Sequence, residues 1–329
     1  MGKVTIQDIA NMCQVSKSSV SRYLNGGYVS KENKEKIKNA IEQTGFKTNF
    51  FAKRLKSKNS NLVGVVIPRI DSITIGKVLN GINSVCEENE YTILMQSSNL
   101  SLKKELECIN SLYNQGVDGI IVYTIGITNE HISFVNSVKT PILFLNQKDN
   151  NVSYISIDDY KAGYIMGEYF YKNNHKNIIF LGVSEQDKSV GLERKKGFYD
   201  FYKKNVSNYK IEFLETDFSF KKAYTMGKMV TNLSPTAVIC ATDNICLGLM
   251  LYLKEKGIDV PEQISVAGFG GYEVSSVVKP SITTISFDYE LLGKLSAEDI
   301  LNIIKNKNRK ENITIPLNFI IGESVKNIN

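Results

Sequence analysis

The chain has 329 residues, too many for one small core, so two or three domains are expected. Its 42% hydrophobic and 22% charged content suits a soluble globular protein. No stretch approaches the roughly 18 continuous apolar residues of a membrane span, and no apolar run follows the first residue, so a cytoplasmic location is expected and no membrane partner. The net charge of +6 is unevenly placed. Residues 1–60 hold 12 Lys and Arg against 4 Asp and Glu, whereas the rest hold 28 against 30. The surplus positive charge therefore sits in a short N-terminal module, where a polyanion would bind.

Within that module Thr5 and Asp8 are spaced as a helix N-cap and its capping-box partner, opening a helix through Ile6, Ile9, Ala10 and Met12. Gln14 and Val15 form a turn, and Ser16 can cap a second helix over 17–24. At 100° per residue, Lys17, Ser18, Ser21, Arg22 and Asn25 share one stripe of it, and Val20, Tyr23 and Leu24 the other. Two short helices with a tight turn, the second polar on one side and apolar on the other, make a helix-turn-helix. A third helix is capped at Ser30, buried through Ile37, Ala40 and Ile41, and closed at Gly45. Asn49 can then cap about two turns of helix over 49–56, far below the ~12–15 residues that stand alone in water, so this segment must form on a partner.

From Leu62 onward, short apolar runs alternate with helical periods. Strands are expected at 62–68, 91–96, 119–123, 141–145, 178–181, 211–215, 237–240 and 265–269, with a last one at 313–321. Helices are expected through Ile75, Val78, Leu79, Ile82 and Val85, through Leu102, Leu106, Ile109 and Leu112, and over 243–256 and 289–304. Continuous apolar strands alternating with helices imply parallel sheets covered on both faces. So many units exceed one open sheet of ordinary width, so the expected fold is α/β, with two doubly wound parallel-sheet subdomains behind the all-α helix-turn-helix domain. Crossovers are expected before Asp158 and near Phe287 and Asp288. The expected division is a DNA-binding domain at 1–48, a hinge and linker at 49–60, a first subdomain from 61–157 with 288–314, and a second from 158–287 with 315–329.

The motifs VTIQDIA at 4–10, VSKSSVSRYLN at 15–25, VS at 29–30 and FKTNFFAKRLK at 46–56 resemble the lactose/galactose repressor (LacI/GalR) family of bacterial transcription regulators, and the resemblance runs through the rest of the chain. It implies a DNA-binding repressor of a carbohydrate-utilisation operon, with two subdomains of the periplasmic-binding-protein type around an effector. The implied partners are double-stranded operator DNA, a small sugar and a second copy in a homodimer. Lys17, Ser18 and Arg22 would read bases in the major groove, Arg22 with the planar fork that bonds guanine bidentately. Thr5, Ser16, Ser21 and Asn25 would hold phosphates. Asn49 would open a hinge helix in the minor groove, where Leu55 is the wedge between base steps, Ala52 lies beside it, and Lys53, Arg54 and Lys56 face phosphates.

In doubly wound folds the ligand sits at the C-terminal ends of strands. That rule and the family's motifs select Asp71, Ser72, Tyr123, Asn146, Arg194, Phe218, Thr242, Asp243, Phe287 and Tyr289 as effector residues. Arg194, in ERKKGF at 193–198, would grip hydroxyls, and Phe218 would stack on a sugar ring. The family's usual carboxylate after the 265–269 strand is missing, because GFGGY at 268–272 places Gly270 there. With RIDS at 69–72, this is similar to sucrose and oligosaccharide operon repressors, and it leaves room for a bulkier ligand. A regulator of the same architecture that needs a corepressor, a purine or a phosphocarrier protein, remains the alternative.

An enzyme is disfavoured. The two histidines, His131 and His175, stand apart, and His175 in NHKNI at 174–178 suits a structural turn. There is no phosphate-binding P-loop, no nucleophile elbow and no cluster with metal spacing, so no cofactor and no metal are expected. The five cysteines, Cys13, Cys86, Cys108, Cys240 and Cys246, are scattered without a CxxC pair and read as small buried apolar residues.

Overall fold

The computed structural model describes residues 4–24, 26–46, 59–305 and 312–328. They fall in two compact units, residues 1–60 and 61–329.

The described residues of the first unit pack as helices α1 (Ile6–Cys13), α2 (Lys17–Leu24) and α3 (Lys31–Thr44). The expected capping box opens α1: the Asp8 N–H donates to Thr5 Oγ1, and the Asp8 carboxylate accepts from the Thr5 N–H at 2.8 Å. Gln14 ends α1 in the left-handed region at φ 52°, and Gly45 ends α3 there at φ 61°. The core is Ile9, Ala10, Cys13, Val20, Ile37 and Ala40. Met12, expected to face it, is 54% exposed. The seven-residue step from Ile6 brings Cys13 onto the apolar stripe instead.

The second unit alternates strands and helices, as its sequence periods imply: β1 (Leu62–Ile67), α4 (Ile73–Glu88), β2 (Thr92–Ser97), α5 (Leu102–Asn114), β3 (Gly119–Tyr123), α6 (Asn129–Ser137), β4 (Ile142–Leu145) and β5 (Ser153–Ile157). There follow α7 (Asp159–Lys172), β6 (Asn177–Gly182), a π-helical turn at Lys188–Glu193, α8 (Arg194–Asn205), β7 (Lys210–Glu215), α9 (Phe220–Asn232), β8 (Ala237–Cys240), α10 (Asp243–Glu255) and β9 (Ser265–Gly270). The unit closes with α11 (Glu273–Val277), β10 (Thr283–Phe287), α12 (Tyr289–Ile304), β11 (Ile313–Ile315) and β12 (Leu317–Ile320).

Two six-stranded sheets result, in the orders β11-β5-β4-β3-β1-β2 and β12-β10-β9-β8-β6-β7. Among the described residues every strand pairing is parallel except β10 with β12. The chain changes sheet after β5, again through α12, and a third time between β11 and β12. The single strand expected at 313–321 is therefore two: 313–315 pairs with β5 in the first sheet, and 317–320 runs antiparallel to β10 in the second. Pro316 separates them, since it has no N–H for a ladder. Strands β5 and β10 were not expected. SYISI and TTISF alternate polar with apolar residues, unlike the continuous runs of β1 or β3.

Helices α7 and α8 touch backbone to backbone. A Cβ at Gly163 would strike the Arg194 carbonyl, and one at Gly197 the Tyr160 carbonyl. This close approach seats the start of α8 beside the start of α7. All five cysteines are free and buried, as expected.

Candidate functional site

A cleft holding about 540 Å³ of empty space, part of it open to solvent, lies where strand ends of the two sheets converge. Its wall takes Arg69 and Ser72 from beyond β1, Tyr123 and Thr124 from the end of β3, and Asn146 from β4. From the second sheet come Asp187, Arg194, Phe218, Thr242, Tyr272 and Tyr289, each in the segment following a strand.

Arg194 is fully enclosed. Its Nε donates to Asp159 Oδ1 at 2.7 Å and a terminal nitrogen to the Ala241 carbonyl at 2.7 Å. The guanidinium carbon lies 5.1 Å from the Phe269 ring centre and 5.6 Å from that of Phe287. Burial works against its charge, but the Asp159 carboxylate outweighs burial and holds its pKa above the ordinary value. Asp159 is raised by burial, and Arg194 opposes that rise. This pair fixes a charged donor fork at the cleft without leaving it unbalanced. Asp187 adds a carboxyl raised to about 6 by burial, against the Val190 N–H that it accepts. Asn146, left-handed at φ 69° and 6% exposed, keeps an Oδ1 with no hydrogen-bond partner among the described residues. A buried acceptor without a partner costs about 1–3 kcal/mol, so a ligand donor placed there would be rewarded.

Seven of the ten residues selected from the sequence line this cleft: Ser72, Tyr123, Asn146, Arg194, Phe218, Thr242 and Tyr289. Three do not. Asp71 points to solvent, 81% exposed, and pairs with Arg69 at 3.2 Å; Arg69 itself is on the wall, 4.6 Å above the Phe218 ring. Asp243 is spent inside the protein, accepting from the Thr284 and Ser275 hydroxyls at 2.7 and 2.8 Å and from the Tyr272 N–H at 3.1 Å. Phe287 lies beneath the Arg194 guanidinium rather than on the wall.

The expected room at Gly270 is filled. Gly270 stands at φ +133° and Gly271 at φ +62°, and a Cβ on Gly270 would fall 2.5 Å from the Tyr272 ring. The Tyr272 ring thus fills the space that a side chain at position 270 would enter. Of the wall residues that sequence reasoning missed, Arg69 and Asp187 follow β1 and β6 and so obey the strand-end rule already applied. Asp159, off the wall itself, also follows a strand, β5, but nothing in its spacing announces the contact with Arg194, which joins different helices.

On the N-terminal unit, Thr5, Ser16, Lys17, Ser18 and Arg22 are exposed and Ser21 is partly so, with Ser18 and Arg22 on the side of α2 opposite the buried Val20. The Ser16 hydroxyl also accepts the Ser19 N–H at 3.2 Å, so it caps α2 as expected. Asn25, Asn49, Ala52, Lys53, Arg54, Leu55 and Lys56 lie outside the described residues.

Residues 5–49 match the family model described as bacterial regulatory proteins, lacI family, and residues 168–325 match that of a periplasmic binding protein-like domain. The sucrose operon repressor of Staphylococcus xylosus is 31% identical over 94% of this chain and 97% of its own length. Catabolite control protein A of Priestia megaterium is 27% identical over 86% of this chain and 87% of its own. Among solved structures, a lac repressor dimer bound to operator and the anti-inducer ONPF superimposes with a TM-score of 0.89, covering 99% of this chain and all of that one at 24% identity, a likeness of fold. With a helix-turn-helix at its start, a two-sheet cleft behind it and these relatives along its whole length, the chain belongs to the lacI family of bacterial DNA-binding transcription regulators.

Proposed function

We propose that this protein is a homodimeric, cytoplasmic repressor of a carbohydrate-utilisation operon, released from its operator when a sugar of the sucrose or oligosaccharide class fills the cleft. The observation that carries the sugar reading is the cleft itself. A paired guanidinium at Arg194, an unpartnered acceptor at Asn146 and aromatic rings at Phe218 and Tyr272 suit a ligand with many hydroxyls and one apolar ring face. The sucrose repressor at 31% identity supports the same class, and the dimeric operator complex of the lac repressor supports the assembly.

In this reading Lys17, Ser18 and Arg22 contact base edges, and Thr5, Ser16, Ser21 and Asn25 contact phosphates. Residues 49–56, from Asn49 through Ala52, Lys53 and Lys56, form the hinge that inserts Leu55. The domain boundaries are 48/49, 60/61, 157/158 and 287/288, and the last moves from the expected 314/315 to 315/316, because Ile315 pairs with Ile157. Effector binding favours one arrangement of the two sheets, and operator affinity falls by the effector's preference for that arrangement.

Thermal unfolding against a panel of mono- and disaccharides, sucrose and its phosphorylated forms included, tests the ligand class. A true effector raises Tm in a concentration-dependent way, by about 2.7 kcal/mol of added stability at one hundred times Kd. The same compound should weaken binding to an operator fragment. A purine that strengthens operator binding, with no response to any sugar, would overturn the proposal.

A further inference from the structure

The two sides of the cleft are joined by direct hydrogen bonds as well as by chain crossovers. The Ile125 carbonyl accepts the Lys188 N–H at 2.9 Å and the Gln147 side-chain amide at 3.3 Å. Gln147 also donates to Ser189 Oγ at 2.9 Å, and that hydroxyl donates to the Asn146 carbonyl. Ile125 belongs to the loop 124–128 between β3 and α6, whereas Lys188 opens the π-helical turn that leads into Arg194. The shape of that short loop therefore sets one of the three hydrogen bonds across the seam, the one from the Lys188 N–H.

Two buried titratable side chains with no part in the wall hold that loop at both ends. Glu105, on α5, is wholly enclosed, and its Oε1 accepts the Thr124 hydroxyl at 2.5 Å. The same hydroxyl oxygen accepts the Gly126 N–H at 3.1 Å. His131, on α6 and 1% exposed, accepts the Thr128 N–H at Nδ1 at 3.2 Å, so its ring proton belongs on Nε2. Nε2 lies 3.1 Å from Glu105 Oε1, outside hydrogen-bond geometry, and Glu105 Oε2 has no partner among the described residues. Two apolar side chains would fill this space at less expense, since buried polar pairs often do no better than apolar replacements. Packing alone does not account for them.

We propose that Glu105 and His131 are positioning residues for cleft closure, holding residues 124–128 in the shape that lets the Ile125 carbonyl meet the Lys188 N–H. The functional meaning rests on the cleft being the effector site; the contact itself does not. Hydrogen–deuterium exchange on the full-length protein without ligand tests it. In Glu105→Leu and Thr124→Val, exchange at the Lys188 amide should rise by about tenfold relative to the central-strand amides of Val65 and Ile121. Glu105→Gln, which keeps an acceptor and the shape, should stay within about threefold of the wild type. If Glu105→Leu fails to fold, Thr124→Val decides alone, because it removes one hydroxyl at constant shape. Unchanged protection at Lys188, or a rise shared equally by Val65 and Ile121, would sink the proposal. A failed sugar response would count against the effector reading and leave this one standing.

Discussion

His175 is the clearest single-residue link between packing and pH. It is completely buried, shares Nδ1 with the Thr236 hydroxyl at 3.1 Å and Nε2 with the Lys326 carbonyl at 3.0 Å, and burial lowers its pKa to about 4 from an ordinary 6.5. The unfolded chain takes up a proton near pH 6.5 that the folded chain refuses until about 4. The group's contribution is thus intact above 6.5 and lost as pH falls through that window, by about 3 kcal/mol. Chemical denaturation from pH 7 to 4.5 should show this slope, and His175→Gln should flatten it. At Gly270 the expectation is steric: Gly270→Asp restores the carboxylate but must displace the Tyr272 ring, so it should lower stability by about 1–3 kcal/mol and change the ligand panel, as thermal unfolding with sugars would reveal. The Gly-Gly pair was legible as a departure from the family pattern. What fills the gap was not, because Tyr272 folds back onto Gly270 through a turn braced by Asp243.

Among elements, the contact of α7 with α8 carries the most consequence, because it seats Arg194 against Asp159. Gly163→Ala should destabilise by about 1–3 kcal/mol or more, since the new methyl group would meet a backbone carbonyl that cannot rotate away. Gly76→Ala is the contrast: this helical glycine is exposed with nothing near its missing Cβ, and the change should add about 0.5–1 kcal/mol. Urea denaturation of both variants checks the opposite signs. Helices α10 and α12 were readable within a residue and α4 and α5 from their apolar periods, whereas β5 and β10 were missed. Each lies near an edge of its sheet, where half-polar strands are tolerated and the continuous-run signal fails.

For the molecule as a whole, the proposed switch joins charge in the first 60 residues to a cleft in the remainder. Leu55→Ala should weaken specific operator binding by a few kcal/mol while leaving sugar-induced thermal stabilisation intact. Titrations with operator fragments beside ligand melts would separate the two, and unchanged operator affinity would remove the wedge from the hinge. The sequence by itself determined the class of fold, the helix-turn-helix with its caps, the basic N-terminal module and seven wall residues of the cleft. Those follow from local periods, capping chemistry, a charge count and the rule that ligands sit at strand ends. Only the tertiary structure decided that Asp243 braces a turn, that Asp159 neutralises Arg194 and that the Tyr272 ring fills the space beside Gly270. It alone showed that the last crossing, expected at 314/315, breaks one expected strand in two at Pro316. Each of these depends on residues brought together from separate elements, and no spacing along the chain records such a meeting.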